Sequence, residues 1–118
     1  MRRILFVLNN LIIGGVEKVC YEIVKNIDKN KYRIDFLIAP YPDAVQYYEP
    51  IVKEHGCKVF RAPVIIGRRG KKVFLEFEKR ILLDGKYDAV HSHMDFMNAS
   101  VLKIAKKLGI PMRISHVH

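Results

Sequence analysis

Several things the chain lacks narrow what it can be. Cysteine occurs only at Cys20 and Cys57, which form no CxxC pair. Acidic residues number 12 against 21 lysines and arginines. No apolar run approaches the roughly 18 residues that a membrane-spanning helix requires. The GxGxxG dinucleotide fingerprint and the GxxxxGK[ST] phosphate loop are both missing, as are helix-turn-helix, RRM and KH signatures. There is no internal repeat and no low-complexity tract.

Each absence carries a consequence. Two cysteines cannot supply the disulfide framework of a small secreted domain. Cys20 falls on the apolar side of the first predicted helix and Cys57 just before a strand, so both read as reduced core thiols in a cytoplasmic chain. Met1-Arg2-Arg3 followed by Ile4–Leu8 imitates a signal peptide, but Asn9-Asn10 interrupts the apolar stretch and no small-residue cleavage site follows. The expectation is a soluble protein with, at most, a peripheral contact at the inner face of the plasma membrane. The shortage of acids leaves a formal charge of +9 and a pI near 9.7. Such a balance suits a phosphorylated ligand or an acidic membrane surface, or forms an ordinary solvated basic face. Nucleic acid is set aside for want of a recognition motif.

What is present is a packed α/β pattern. With 118 residues, half of them hydrophobic, the chain fits one domain with a real core. Ile4–Leu8 reads as a first strand. Val16, Val19, Cys20, Ile23, Val24 and Ile27 then recur at helical spacing. Arg33–Ala39 is a second strand and Tyr47–His55 a short helix with Pro50 in its first turn. Lys58–Arg61 is a third strand, and Lys71–Arg80 a helix with Val73, Phe74, Phe77 and Ile81 on one face. Tyr87–His91 forms a fourth strand. Asp95 is placed as the N-cap of a helix burying Met97, Val101, Ile104, Ala105 and Leu108. Met112–Ser115 closes the pattern as a fifth strand.

Strands alternating with helices imply a doubly wound, mostly parallel, Rossmann-like sheet. In the order 3-2-1-4-5 the chain reverses direction between strands 1 and 4, and ligands bind outside the carboxyl ends of strands at such a switch. The loop Asn9–Gly15 and the segment His91–Asp95 would then face one crevice.

The residues in those segments define the candidate chemistry. Gly14-Gly15 just ahead of a helix offers close backbone approach and an anion-attracting helix start; a packing turn is the plain alternative. Glu17 in the first helical turn suits the dipole in any case. His91 and His93, two apart on a strand, share one face; His91 reads as a core residue and His93 as a functional one. His116-Val117-His118 repeats the spacing at the end of strand 5, so four imidazoles could approach a metal. Arg68, Arg69, Lys71 and Lys72, interleaved with Val73, Phe74 and Phe77, could rest on an anionic membrane or simply flank an amphipathic helix.

The segments Leu11-Ile12-Ile13-Gly14-Gly15-Val16-Glu17 and Asp88-Ala89-Val90-His91-Ser92-His93 resemble the GG-[AV]-E loop and the D-[IV]-V-H-x-H segment of family-4 retaining glycosyltransferases with the GT-B fold. The likeness is closest to bacterial members that build capsular or other surface polysaccharides. Arg33-Ile34-Asp35-Phe36-Leu37 and Arg113-Ile114-Ser115-His116 echo the family's second and fifth strands, so nearly the whole chain is covered.

The resemblance implies transfer of a hexose from a nucleotide-sugar donor to a saccharide or lipid-linked acceptor, with retained anomeric configuration. It puts Gly14 and Gly15 against the donor diphosphate and His93 beside the transferred sugar as the catalytic residue. Asn10, Glu17, Asp95 and His116 are then acceptor or sugar contacts, and no cofactor or metal is required. The family's nucleotide-binding second domain, with its E-x7-E motif, has no counterpart in these residues. Residues 1–118 are therefore expected to be a partial, acceptor-side N-terminal domain, inactive alone. A stand-alone anion-binding module and a His-rich metal-binding domain stay open as other classes.

Overall fold

The computed structural model describes residues 1–118 throughout. Its centre is β1 (Arg2–Leu8), in which Leu5, Phe6, Val7 and Leu8 are all buried. This strand pairs in parallel with β2 (Tyr32–Ile38) on one side and with β4 (Ala89–Ser92) on the other. β3 (Val59–Arg61) lies outside β2, and β5 (Met112–Ser115) outside β4. The order is β3-β2-β1-β4-β5, the one assumed in placing the crevice, and every pairing is parallel, as the alternating pattern implies.

Parallel neighbours need crossovers, and right-handed crossovers fix which face each helix covers. The chain steps one way from β1 to β3 through α1 (Gly15–Asn26) and α2 (Tyr48–Glu54). It then returns through α3 (Arg68–Gly85) and steps the other way through α4 (Asn98–Lys107). Two apolar layers result. Phe6, Leu8, Ile34 and Phe36 pack against Cys20 and Val24 of α1 and Val52 of α2. Leu5, Val7, Leu37 and Val90 pack against Phe74 and Ile81 of α3 and Val101 of α4. Successive side chains of β1 thus feed opposite layers, as the two-residue repeat of a strand requires.

The departures from the sequence pattern are local. Val19 is 44% exposed, so the buried stripe of α1 is narrower than its apolar spacing suggests. α3 begins at Arg68 rather than Lys71, because the loop before it folds down onto Gly70. A Cβ at Gly70 would collide with the Ile65 carbonyl oxygen, a space only glycine leaves free. Asp95 is not the N-cap of a helix. It opens a short 3-10 turn, Asp95–Met97, in the left-handed region at φ 49°, and α4 starts only at Asn98. In α4, Val101 and Ala105 are buried, while Met97, Ile104 and Leu108 are only partly so. Met112 and Ile114 of β5 stay exposed.

Two buried carboxyl groups went unread in the apolar pattern. Asp35 of β2 is fully buried; it accepts hydrogen bonds from the Tyr87 hydroxyl at 2.7 Å and the Lys58 backbone N–H at 2.9 Å. The guanidinium groups of Arg3 and Arg33 approach the same carboxylate at 3.5 Å. The knot ties β1, β2, β3 and the start of β4 together at the amino edge of the sheet. Glu78 of α3 is different: it is fully buried and neither carboxyl oxygen has a partner. Burial pushes its pKa up to about 8, so the acid form is favoured.

The sign of the resulting pH dependence follows from linkage. A group whose folded pKa lies above its unfolded value of 4.5 stabilises fully below 4.5 and loses that contribution as pH rises through 8. Glu78→Met therefore gains in melting temperature over the unaltered chain as pH rises from 5 to 8. Thermal unfolding across that range checks this, and a pH-independent difference would show that Glu78 is not a neutral buried acid.

Candidate functional site

The carboxyl ends of β1 and β4 meet where the sheet order reverses. A small cavity of about 130 Å³ opens there, lined by Asn9, Asn10, Val16, Glu17, His93, Asp95 and His118 among others. The glycine loop after β1 and the histidine segment after β4 are thereby brought together across some eighty residues of sequence. The His93 N–H donates to the Val7 carbonyl at 2.8 Å, so the β1–β4 ladder carries this residue to the cavity wall.

Gly14 is the N-cap of α1, with extended backbone, and its carbonyl accepts from the Lys18 N–H at 3.0 Å. Gly15 is the first helical residue, and a Cβ built on it would meet nothing within 4 Å. Neither glycine lies in the left-handed region, so backbone strain is not what places glycine here. Open approach to the helix start is the remaining physical use. Glu17 folds back toward Gly14, where its Oε1 would lie 2.8 Å from an added Cβ. Its carboxylate therefore shares the mouth of the cavity with that of Asp95.

His93 is 4% exposed, and each ring nitrogen has a neighbour. Nε2 lies 3.7 Å from the Cys20 Sγ, and Nδ1 lies 3.0 Å from Nε2 of His118. Burial, and then the neighbouring His91, His116 and His118, push its pKa down to about 3. It is thus a neutral hydrogen-bonding group at any ordinary pH, not a cation. His91, stacked on His93 at 4.2 Å and edge-on to Phe6, is shifted down chiefly by burial. The Cys20 thiol is pushed up to about 12 by burial and by Glu17, so it stays protonated.

The other candidates are placed as follows. Asn10 is buried, and its Oδ1 accepts from the Tyr41 backbone N–H at 3.0 Å and from Gln46 Nε2 at 3.1 Å. It brackets the loops after β1 and β2 while lining the cavity. Asp95 is exposed, and its Oδ1 accepts from the His118 N–H at 3.0 Å. His116 leaves the end of β5 with its N–H donating to the Ser92 carbonyl at 2.9 Å, and its ring lies 5.0 Å from that of His93. Arg68, Arg69, Lys71 and Lys72 are all exposed in the first turns of α3, where no acidic residue balances them. A groove of about 890 Å³ follows that helix between Arg69, Lys72, Phe77, Arg80 and Leu83, well away from the histidines.

Sequence reasoning missed Asn98, which holds the site together. Its buried Oδ1 accepts from the Met94 N–H at 2.8 Å and from the Ser92 hydroxyl, while its Nδ2 donates to Ser115 Oγ at 3.0 Å. The segment carrying His93 is thereby fastened to the end of β5. A signal was present: Asn98 stands three residues before Val101 and seven before Ala105, a polar residue on an otherwise buried helix stripe.

With the geometry established, comparison with known proteins is informative. Residues 13–118 match the model of Glycosyltransferase Family 4, and the chain belongs to that family. It is 29% identical over 118 residues to a protein of Bacillus subtilis (strain 168) named "Putative glycosyltransferase EpsF". That match covers 99% of this chain but only 30% of the relative's length. Among solved structures, MurG of Acinetobacter baumannii superimposes with a TM-score of 0.72 at 14% identity, over 99% of this chain and 34% of MurG. The C-terminal domain of PF1911 hydrogenase from Pyrococcus furiosus does so at 0.71 with 18% identity, over 98% of this chain and 91% of that one. At such identities the superpositions speak for the fold alone.

Removing the Asn98 side chain leaves several buried groups unpartnered at once. Asn98→Ala is expected to lower stability by roughly 2–4 kcal/mol. Urea unfolding measures this; an unchanged midpoint would mean the polar knot carries no stability.

Proposed function

We propose that this chain forms the acceptor-side half of a glycosyl-transfer site. On this reading a hexose moves from a nucleotide-sugar donor to a saccharide or lipid-linked acceptor, with retained anomeric configuration, in the building of surface polysaccharide. The observation that carries the reading is the meeting, in one cavity at the sheet's switch point, of His93 with Asn9, Asn10, Val16 and Glu17, the residues that flank the Gly14-Gly15 helix start. Membership of Glycosyltransferase Family 4 supports it.

The chemistry suits these parts. Transfer breaks the bond between the anomeric carbon and the diphosphate oxygen, and negative charge grows on that oxygen. The free N–H groups and positive dipole end of α1 can meet that charge, and the absence of any neighbour around Gly15 lets a phosphate approach closely. His93, neutral and held between Cys20 and His118, can exchange a hydrogen bond with a sugar hydroxyl. The carboxylates of Glu17 and Asp95 repel a diphosphate but accept hydrogen bonds from sugar hydroxyls, so they belong to the sugar or acceptor side, with Asn10 and His116 beside them. The reaction uses no metal cofactor on this reading.

The basic start of α3 supplies the membrane contact. Four cations around the positive end of a helix dipole are mutually unfavourable unless an anion lies nearby. Arg68, Arg69, Lys71 and Lys72 would find it in the anionic lipid of a cytoplasmic membrane face, beside which a lipid-linked acceptor would be presented. No helix of the chain is long and apolar enough to cross a membrane.

The test uses the protein translated from the complete reading frame. His93→Ala is expected to lower turnover by roughly 100-fold, the usual cost of one hydrogen bond made at the transition state, while circular dichroism stays unchanged. Normal turnover would remove His93 from the reaction. Gly15→Val is expected to raise the donor KM without loss of stability, since its Cβ meets no protein atom; unchanged donor kinetics would end the diphosphate assignment.

A further inference from the structure

The histidines at the carboxyl edge do more than the transfer reading asks of them. His91 and His93 share one face of β4 because they are two residues apart. β5 pairs with β4 in the register His91 to Ile114 and Ser92 to Ser115, which carries His116 alongside His93. One ring nitrogen from each of His91, His93 and His116 lies within 4.8 Å of the others. Nε2 of His91 is buried with no hydrogen-bond partner, a costly state for a ring nitrogen. The Cys20 Sγ stands 3.7 Å from Nε2 of His93.

Three imidazoles with an adjoining thiol form a borderline-soft donor set. Such a set selects zinc and its transition-metal neighbours, and it rejects magnesium or calcium, which require oxygen ligands. A tetrahedral ion bound at about 2.0–2.1 Å needs its nitrogens roughly 3.4 Å apart. The rings of His91, His93 and His116 must turn out of their stacked arrangement to aim these nitrogens at one ion, while β4 and β5 hold the backbone beneath them. His118, whose Nε2 meets Nδ1 of His93 at 3.0 Å, stands as an outer partner that orients the ring.

We propose that His91, His93 and His116 bind a zinc-class transition-metal ion, and that the bound ion blocks glycosyl transfer by occupying His93. The second half rests on the placement of His93 at the donor sugar. A metal-bound ring nitrogen has no lone pair left for a sugar hydroxyl, and the ion fills the space where the sugar would lie. The site is therefore inhibitory, and transfer remains free of any metal cofactor.

The first measurement is zinc binding to the untagged 118-residue chain, stripped with chelator, in competition with a chromophoric chelator at neutral pH. About one equivalent is expected, with His91→Gln and His116→Gln each weakening affinity roughly tenfold or more. Cobalt should give the visible bands of a tetrahedral site, and magnesium should not compete. Circular dichroism confirms that the variants fold. Substoichiometric binding, or affinity indifferent to both substitutions, overturns the site. The second measurement adds zinc to the protein of the complete reading frame during turnover. Inhibition that His91→Gln relieves supports the block. Zinc bound without inhibition, in an enzyme that His93→Ala disables, overturns the block itself. Zinc bound without inhibition, in an enzyme indifferent to His93→Ala, overturns instead the placement of His93 at the sugar.

Discussion

The structure depends on one strand being hidden on every side. Leu5 through Leu8 of β1 are buried on both faces and hydrogen-bonded along both edges, to β2 and to β4. A strand so placed must be apolar throughout, and its neighbours must be reached by crossovers in opposite directions. Helices are then forced to opposite faces, and the loops after β1 and β4 diverge above the seam between them. The cavity lined by Asn10, Val16, Glu17 and His93 is a consequence of that seam. Nothing in the loops themselves creates it.

Polar groups below the cavity were positioned by burial more than by charge. His93 and His91 sit in a stack of imidazoles, and the protonation of these two is suppressed first by desolvation and then by the neighbouring histidines. Asn98 fastens that stack through backbone and hydroxyl partners on two strands. At the opposite edge, Asp35 does a similar job through Tyr87, Arg3 and Arg33. The sheet is pinned by polar knots at both ends, and the knot at the carboxyl end coincides with the candidate site. A histidine stacked with other histidines and held neutral is suited both to hydrogen-bonding a sugar and to ligating a metal. The transfer and zinc readings therefore share one physical cause.

The fold alone does not carry the function. The same arrangement of strands and helices superimposes on MurG and on a hydrogenase domain at comparable TM-scores. What separates such proteins lies in the loops at the carboxyl edge. For this chain those loops bear a glycine pair, two carboxylates and clustered imidazoles. The chain spans 30% of the length of the Bacillus subtilis relative it matches.

Periodicity in the sequence determined the element order, the parallel sheet and which helix faces would be apolar, while the strand order was an assumption that the structure matches. These are legible because side-chain direction repeats every two residues in a strand and every 3.6 in a helix, a property each segment carries by itself. The two loops were also placed correctly above one crevice, since the switch-point rule needs only strand order. Tertiary structure alone decided the rest. It showed Val19 turned outward, Asp95 in a left-handed turn ahead of the helix it was expected to cap, and Glu78 and Asn98 as polar residues on buried stripes. It also brought Cys20 to His93, partners distant in sequence. Such meetings depend on register between strands and on which face a crossover covers, and no local pattern of residues encodes either.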